Sequence, residues 1–237
     1  MEKEIAVLMA AGLGSRMRPL TETIPKPLVK VNGKPLIETM IEGLLKRPIE
    51  QIYIVVGYKK EMFQYLADKY RQVILVENKE YLSKNNISSI YAVCDHLGEK
   101  NCFICEADIY VQDASIFLGD FYNSCYFAKM IKGYSNDWIF ETDNNRIVKI
   151  CKGGNDVYNM TGVAYLTQND LKILKKQLLS VYSCPDSTTL FWDEVMDQLL
   201  NEINVGIYDI DKDALIEIDT LEELAAIDQS YRNWLML

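Results

Sequence analysis

The sequence predicts an α/β protein built on a mixed, mostly parallel sheet. Three observations carry this. Short apolar runs alternate with helix-forming stretches over roughly the first 100 residues, the rhythm of βαβ units. A glycine turn follows the first apolar run directly. After about Asp113 the alternation gives way to β-like runs separated by Gly, Asn and Asp turns.

Residues 4–9 read as a buried strand because they are almost continuously apolar, and Ala10-Ala-Gly-Leu-Gly-Ser-Arg-Met-Arg is the turn that ends it. Pro35 is placed to open a helix running to about residue 47, with Leu36, Met40, Leu44 and Ile37, Ile41 on one face. Residues 51–56 form a second strand closed by Gly57, 60–70 a helix, and 73–77 a third strand. Residues 86–97 fit a helix capped by Asn85 or Asn86, and 102–105 a fourth strand ending in Glu106-Ala107-Asp108. Beyond it, 126–131, 138–141, 146–151 and 163–166 read as short strands, and 168–179 and 191–203 as helices. Strands at 205–209 and 215–218 and a helix at 221–231 follow.

Composition narrows the function. With 49% hydrophobic and 25% charged residues, the 237-residue chain is ordinary globular material, long enough for one large core or two small lobes. Asp plus Glu is 34 against 25 Lys plus Arg, a net charge of −9, which argues against coating nucleic acid or anionic membranes. The apolar runs are strand-sized, well short of the ~20 residues of a membrane span, and the first residues do not read as a signal peptide. The six cysteines (Cys94, Cys102, Cys105, Cys125, Cys151, Cys184) read as reduced, buried thiols of a cytoplasmic protein. Cys102 and Cys105 fall on opposite faces of a strand, and with one histidine in the chain a zinc site is not expected. His96 reads as a polar residue near a helix end, so catalysis through a histidine base is disfavoured.

The turn at Gly12-Leu-Gly14-Ser15-Arg16 lacks the third glycine of a dinucleotide fingerprint, where Met17 stands, and lacks the Gly-Lys-Ser/Thr of a P-loop. What remains is a run of backbone N–H groups able to face phosphate oxygens, with Arg16 and Arg18 beside it; a plain strand-to-helix turn with two surface arginines is the bland alternative. Pro25 and Pro27 flank Lys26 and stiffen its backbone, which suits an ammonium aimed at a reacting phosphate. Asp108 and Asp219 each end an apolar strand at the edge where open α/β sheets bind ligands; each alone also reads as a turn residue. Converging strand ends would give a magnesium site.

Gly-x-Gly-x-Arg-x-x-Pro-Leu-Thr followed by Pro-Lys-Pro-Leu resembles the signature of sugar-phosphate nucleotidyltransferases, together with Val55-Val-Gly57-Tyr and Glu106-Ala-Asp108. Asn85-Asn86-Ile-Ser-Ser89, Asn136-Asp-Trp138, Leu190-Phe-Trp192-Asp193 and Glu217-Ile-Asp219 narrow the resemblance to the bacterial CTP:phosphocholine cytidylyltransferases. Ile87 and Ser88 depart from the bulkier residues of that pattern, and Cys151-Lys-Gly-Gly154 matches it only loosely. The resemblance implies the Rossmann-like three-layer nucleotidyltransferase (glycosyltransferase-A-like) fold as a single domain over 1–237, with a nucleotide lobe to about 112 and an acceptor lobe beyond.

It further implies transfer of CMP from CTP to phosphocholine with Mg2+. The acceptor phosphate arrives ionised, so catalysis reduces to positioning and charge neutralisation. Arg16, Lys26 and Lys152 are the implied catalytic cations, and Asp108 and Asp219 the implied metal ligands. Ala10, Ala11, Gly12, Gly14, Ser15, Asn85, Asn86, Ser89 and Glu106 are implied at the nucleotide. Trp138, Trp192, Asp193 and Glu217 are implied at the acceptor, the two tryptophan faces flanking a quaternary ammonium. On composition alone the three tryptophans, Trp234 included, read as core. The small-molecule partners are CTP and phosphocholine, and a monomer is favoured. The rival readings are a sugar-1-phosphate, phosphoethanolamine or 2-aminoethylphosphonate nucleotidyltransferase and a catalytically dead regulatory subunit of the same fold.

Overall fold

The first strand, β1 (Glu4–Ala10), is nearly all buried because both its faces are covered, and its side chains sort by parity. Ile5 and Val7 belong to one core, Ala6, Leu8 and Ala10 to the other. The same division holds on β4 (Ile49–Val56), where Tyr53 and Val55 face one way and Ile52, Ile54 and Val56 the other. It places Cys102 and Cys105 of β6 (Cys102–Glu106) in opposite cores, as their spacing predicts. The result is a three-layer α/β/α arrangement in a computed structural model that describes residues 3–236.

Among the described residues a seven-stranded sheet runs in the order β10-β8-β9-β6-β1-β4-β5. Here β5 is Val73–Glu77, β8 Cys125–Asp143, β9 Arg146–Leu166 and β10 Gly206–Asp209. β1 lies parallel to both β4 and β6, and β4 to β5, whereas β9 runs antiparallel to β6 and β8. The β6–β9 pairing carries one sheet through both halves of the chain. One face is covered by α1 (Leu36–Leu44) and α2 (Gln64–Lys69), the other by α3 (Ile87–Ala92), α4 (Gln168–Tyr182) and α5 (Trp192–Leu199). A last helix, α6 (Leu221–Ile227), opens with a capping box between Thr220 and Glu223. No helix among the described residues is long and apolar enough to cross a membrane.

Several boundaries differ from the sequence expectation. Pro35 stands just outside α1, paired with Lys30 between the two-residue strands β2 (Lys30–Val31) and β3 (Lys34–Pro35), and α1 stops at Leu44. The 60–70 and 86–97 segments are each part α-helix and part 3-10 turn, and the C-terminal helix breaks in the same way after Ile227. The four short strands expected between 126 and 166 are two long ones, which pair through repeated bulges near Tyr134, Ser135 and Ile139. All six cysteines are free among the described residues, but Cys151 is half-buried and Cys184 exposed, against the expected burial. His96 lies flat on the Tyr53 ring, centroids 4.2 Å apart, and lines neither part of the cleft described below.

One small sheet decides where the functional residues meet. β7 (Ile109–Val111) pairs antiparallel with β11 (Leu215–Glu217), Glu217 opposite Ile109, and the Ile218 N–H donates to the Asp108 carbonyl. Lys129 on β8 donates to the Leu215 carbonyl at 2.6 Å and fixes β11 from the other side. Asp219 is thereby delivered to Asp108.

Candidate active site

The carboxyl ends of β1, β5 and β6 open onto a cleft of about 440 Å³, continuous with a smaller recess of about 210 Å³ under the glycine turn. The recess is lined by Ala10, Gly12, Gly14, Ser15, Arg16 and Lys26. Gly14 has φ +62°, and a Cβ there would stand 2.8 Å from the Lys26 Cβ; the turn needs glycine to lie against Lys26. Thr21 donates to the Gly14 carbonyl and locks the two segments together.

Lys26, 6% exposed, donates to Asp108 Oδ2 and to Asp219 Oδ1, each at 2.6 Å. Arg16 grips Asp219 with both terminal nitrogens at 2.7 Å. Arg16, Lys26 and the two implied metal ligands are therefore one contiguous network at the junction of cleft and recess; Lys152 is not part of it. Glu106 forms the floor beside Gly162, whose φ is +74° and whose Cβ would meet Glu106 Oε2 at 2.9 Å.

Ala11, Asn85, Asn86 and Ser89 line the larger cleft. Neither asparagine side chain caps α3, contrary to expectation; backbone carbonyls of Asn85 and Asn86 accept from Ser88 and Ser89 instead. Asn86 Oδ1 accepts the backbone N–H of Trp192 at 2.9 Å, and Asn85 Nδ2 donates to the Thr189 carbonyl. The paired asparagines thus tie the start of α3 to the start of α5 across this wall of the cleft.

Trp138, Lys152, Asp193 and Glu217 line the same cleft, joined by Asp137 and Phe191. Phe191 meets the Trp138 ring edge-on at 5.5 Å, and Lys152 Nζ stands 5.0 Å from the Trp138 centroid. Trp192 is not there. It is 3% exposed, stacked 5.8 Å from Tyr126 in the core, and its expected place at the acceptor is corrected to a packing role. Trp192 opens α5, so the helical turn that points Asp193 into the cleft points the indole behind it.

Residues 5–129 match the Nucleotidyl transferase family. The chain is 46% identical over 231 residues to a 2-aminoethylphosphonate cytidylyltransferase of Lancefieldella rimae, covering 97% of this chain and 94% of that one. It is 32% identical to a choline-phosphate cytidylyltransferase of Streptococcus pneumoniae, covering 96% and 98%. The structure of the CTP:phosphocholine cytidylyltransferase from Streptococcus pneumoniae superposes with a TM-score of 0.89 at 31% identity, over 98% of this chain and all of that one. The chain belongs to the nucleotidyltransferases, on their cytidylyltransferase branch. The resemblance carried by the sequence motifs is thereby established at the level of family and fold.

The electrostatics of this nucleotidyltransferase are dominated by crowded carboxylates. Burial works against the Lys26 charge, but Asp108 and Asp219 outweigh it and hold the ammonium above its ordinary range. Burial also opposes ionisation of Asp219, yet the bonds from Lys26 and the nearby Arg16 keep it below the usual carboxylate range. Glu217 is pushed up to about 8, first by the protein mass walling the cleft and then by Asp108 and Asp219, although solvent reaches its side chain. Burial drives Glu106 well above a normal glutamate, helped by Asp108 and Glu217.

These residues fit a divalent cation. Asp108, Glu217 and Asp219 each offer an oxygen within 4.8 Å of the others. Asp108 Oδ1 is buried without a hydrogen-bond partner among the described residues, an orphaned hard-oxygen donor of the kind a magnesium ion takes.

Sequence reasoning missed several residues of the nucleotidyltransferase cleft. Asn78 follows the last residue of β5, at the same sheet edge as Ala10 and Asp108, and that position was its signal. It donates to Ser88 and Ser89 hydroxyls at 2.8 and 3.3 Å. Tyr81, Lys84 and Met160 carry no comparable sequence signal, whereas Asp137 and Phe191 lie inside segments already singled out.

Proposed function

We propose that this cytidylyltransferase transfers CMP from CTP to 2-aminoethylphosphonate, releasing pyrophosphate. One observation carries the choice of acceptor: the expected two-tryptophan cage is absent, because Trp192 lies in the core and the Trp138 face already has the Lys152 ammonium over it. A quaternary ammonium cannot donate N–H bonds and depends on aromatic faces. A primary ammonium has three N–H donors, which suit the carboxylates of Asp137, Asp193 and Glu217 that line the cleft with Trp138. The 46% identity to a 2-aminoethylphosphonate enzyme supports the same acceptor.

In the reaction, a phosphonate oxygen attacks the α-phosphorus of CTP, a new P–O bond forms, and the α–β bridging bond breaks with its electron pair leaving on pyrophosphate. The nucleophile is already anionic, so no side chain removes a proton. Arg16 and Lys26 neutralise the triphosphate, the backbone of Gly12, Gly14 and Ser15 faces its oxygens, and Lys152 binds the phosphonate. Ala10 and Ala11 form the wall beside the nucleotide, while Asn85, Asn86, Ser89 and Glu106 surround its base and sugar. Asp108 and Asp219 would hold magnesium, which would add charge neutralisation on the phosphates. For Lys26 and Arg16 to reach phosphate they exchange the carboxylates they hold in the free protein.

Phosphocholine is the second reading, favoured by the edge-on Trp138–Phe191 pair. The deciding assay scores pyrophosphate release with magnesium, each of the four nucleoside triphosphates, and 2-aminoethylphosphonate, phosphoethanolamine, phosphocholine or glucose-1-phosphate. The expected result is the highest kcat/KM for CTP with 2-aminoethylphosphonate. A preference for phosphocholine restores the second reading, and a preference for glucose-1-phosphate overturns both.

A further inference from the structure

Asp193 reaches the cleft from the first turn of α5 while only 4% exposed. Its Oδ1 accepts a hydrogen bond of 2.9 Å from the hydroxyl of Tyr126 on β8. Tyr126 is 1% exposed and lines neither the cleft nor the recess. Its ring is fixed on two sides: Trp192 stacks on it at 5.8 Å and 24°, and Phe140 packs at 4.9 Å and 44°. Trp192 and Asp193 are consecutive residues, so one turn of α5 holds the phenol by its ring and takes its proton donor.

We propose that Tyr126 is a positioning residue for recognition of the acceptor's ammonium, holding Oδ1 of Asp193 so that the second oxygen of that carboxylate is presented to the cleft. The inference rests on the aminoalkylphosphonate reading above. A buried carboxylate with a charge-assisted donor on one oxygen has a fixed plane, and a fixed plane is what aims the other oxygen. The charge follows the same contact. Burial pushes Asp193 up to about 7, the Tyr126 hydroxyl pulls it down, and Glu194 on the same helix raises it. Glu106, on β6, is a further acidic group that senses Asp193, and Asp197 on α5 acts on Tyr126. Tyr126 is thus the neighbour whose hydrogen bond favours the ionised form that an ammonium needs.

The test is Tyr126→Phe, which keeps the ring and its stacking and removes only the hydroxyl. kcat/KM is measured for 2-aminoethylphosphonate and for ethylphosphonate, which has the same head group and carbon chain without the amine. Wild type is expected to favour the amine. In Tyr126→Phe that preference should fall about tenfold through a higher KM for 2-aminoethylphosphonate, with KM for CTP and kinetics on ethylphosphonate unchanged. In an Asp193→Asn background the same change should leave the preference where it was. An unchanged preference in Tyr126→Phe, or an equal loss on both acceptors, overturns the positioning role and leaves the proposed function standing. A wild type indifferent to the amine overturns both.

Discussion

Lys26 donates to Asp108 Oδ2 at 2.6 Å across 82 residues of chain, and the same ammonium bridges to Asp219. A lysine expected on phosphate thus bridges two carboxylates expected on metal, and Lys26 and Asp219 each favour the charged form of the other. If Asp108 and Asp219 hold magnesium, Asp108→Asn and Asp219→Asn should each lower turnover by several orders of magnitude while leaving the fold intact. Titration with Mn2+, followed by electron paramagnetic resonance in the presence of CTP, should show the site lost in both variants. Undiminished Mn2+ binding by the double variant would move the metal elsewhere.

The cations give a second prediction. Lys26→Ala and Arg16→Ala should each cost about 2–4 kcal/mol of transition-state stabilisation, the range for removing one preorganised donor to developing charge. Lys26 is nearly buried at the proposed phosphate site, so its loss should fall on kcat. Arg16 is two-thirds exposed, and its loss should also raise KM for CTP. Wild-type kinetics in Lys26→Ala would reduce the Pro-Lys-Pro segment to a structural turn.

How legible this was in the sequence differs by region, for physical reasons. β1, β4 and β6 lie inside the sheet and are almost wholly buried, so their continuous apolar runs read cleanly; β5, at the sheet edge and only partly buried, reads by its Val-Ile-Leu-Val run alone. The long strands β8 and β9 project polar and glycine residues, and their bulges break the two-residue period into what looks like separate strands. At the site, Arg16, Lys26, Asp108 and Asp219 were readable because each stands at a strand end or beside a stiff turn. Trp192 was misread because an aromatic beside an acid does not say which of two consecutive helical residues faces the ligand. Asn86 carries a tie to the backbone N–H of Trp192 that nothing in its own neighbourhood announces.

Asp193 links stability to pH. Its carboxyl is raised to about 7 in the folded chain against 3.8 ordinarily, chiefly by burial. Because the folded state binds that proton more tightly, this group's contribution to stability is complete below about pH 4 and is lost as pH rises through 7. Asp193→Asn removes the buried charge and should flatten that limb, leaving the variant with a higher Tm than wild type at pH 8. The same variant should bind 2-aminoethylphosphonate more weakly, a stability gain set against function. Parallel pH–Tm curves for the two proteins, recorded by calorimetry, would contradict it.

Trp138 and Trp192 should part company under the same substitution. Trp192 is in the core against Tyr126, so Trp192→Leu leaves unfilled volume and a loosened phenol. A loss of about 2 kcal/mol or more is expected, which in a chain of this size lowers Tm by roughly 4–8 °C. Trp138 lines the cleft with Lys152 over its face, so Trp138→Leu frees that lysine and removes one wall of the cleft. Its Tm should move less than that of Trp192→Leu, while KM for the acceptor rises and KM for CTP holds. The relative size of the two effects is the measurement: thermal unfolding beside acceptor kinetics for both variants. If Trp192→Leu kept full stability and instead destroyed acceptor binding as strongly as Trp138→Leu, the indole would have to face the ligand, and the two-ring cage for a quaternary ammonium would return.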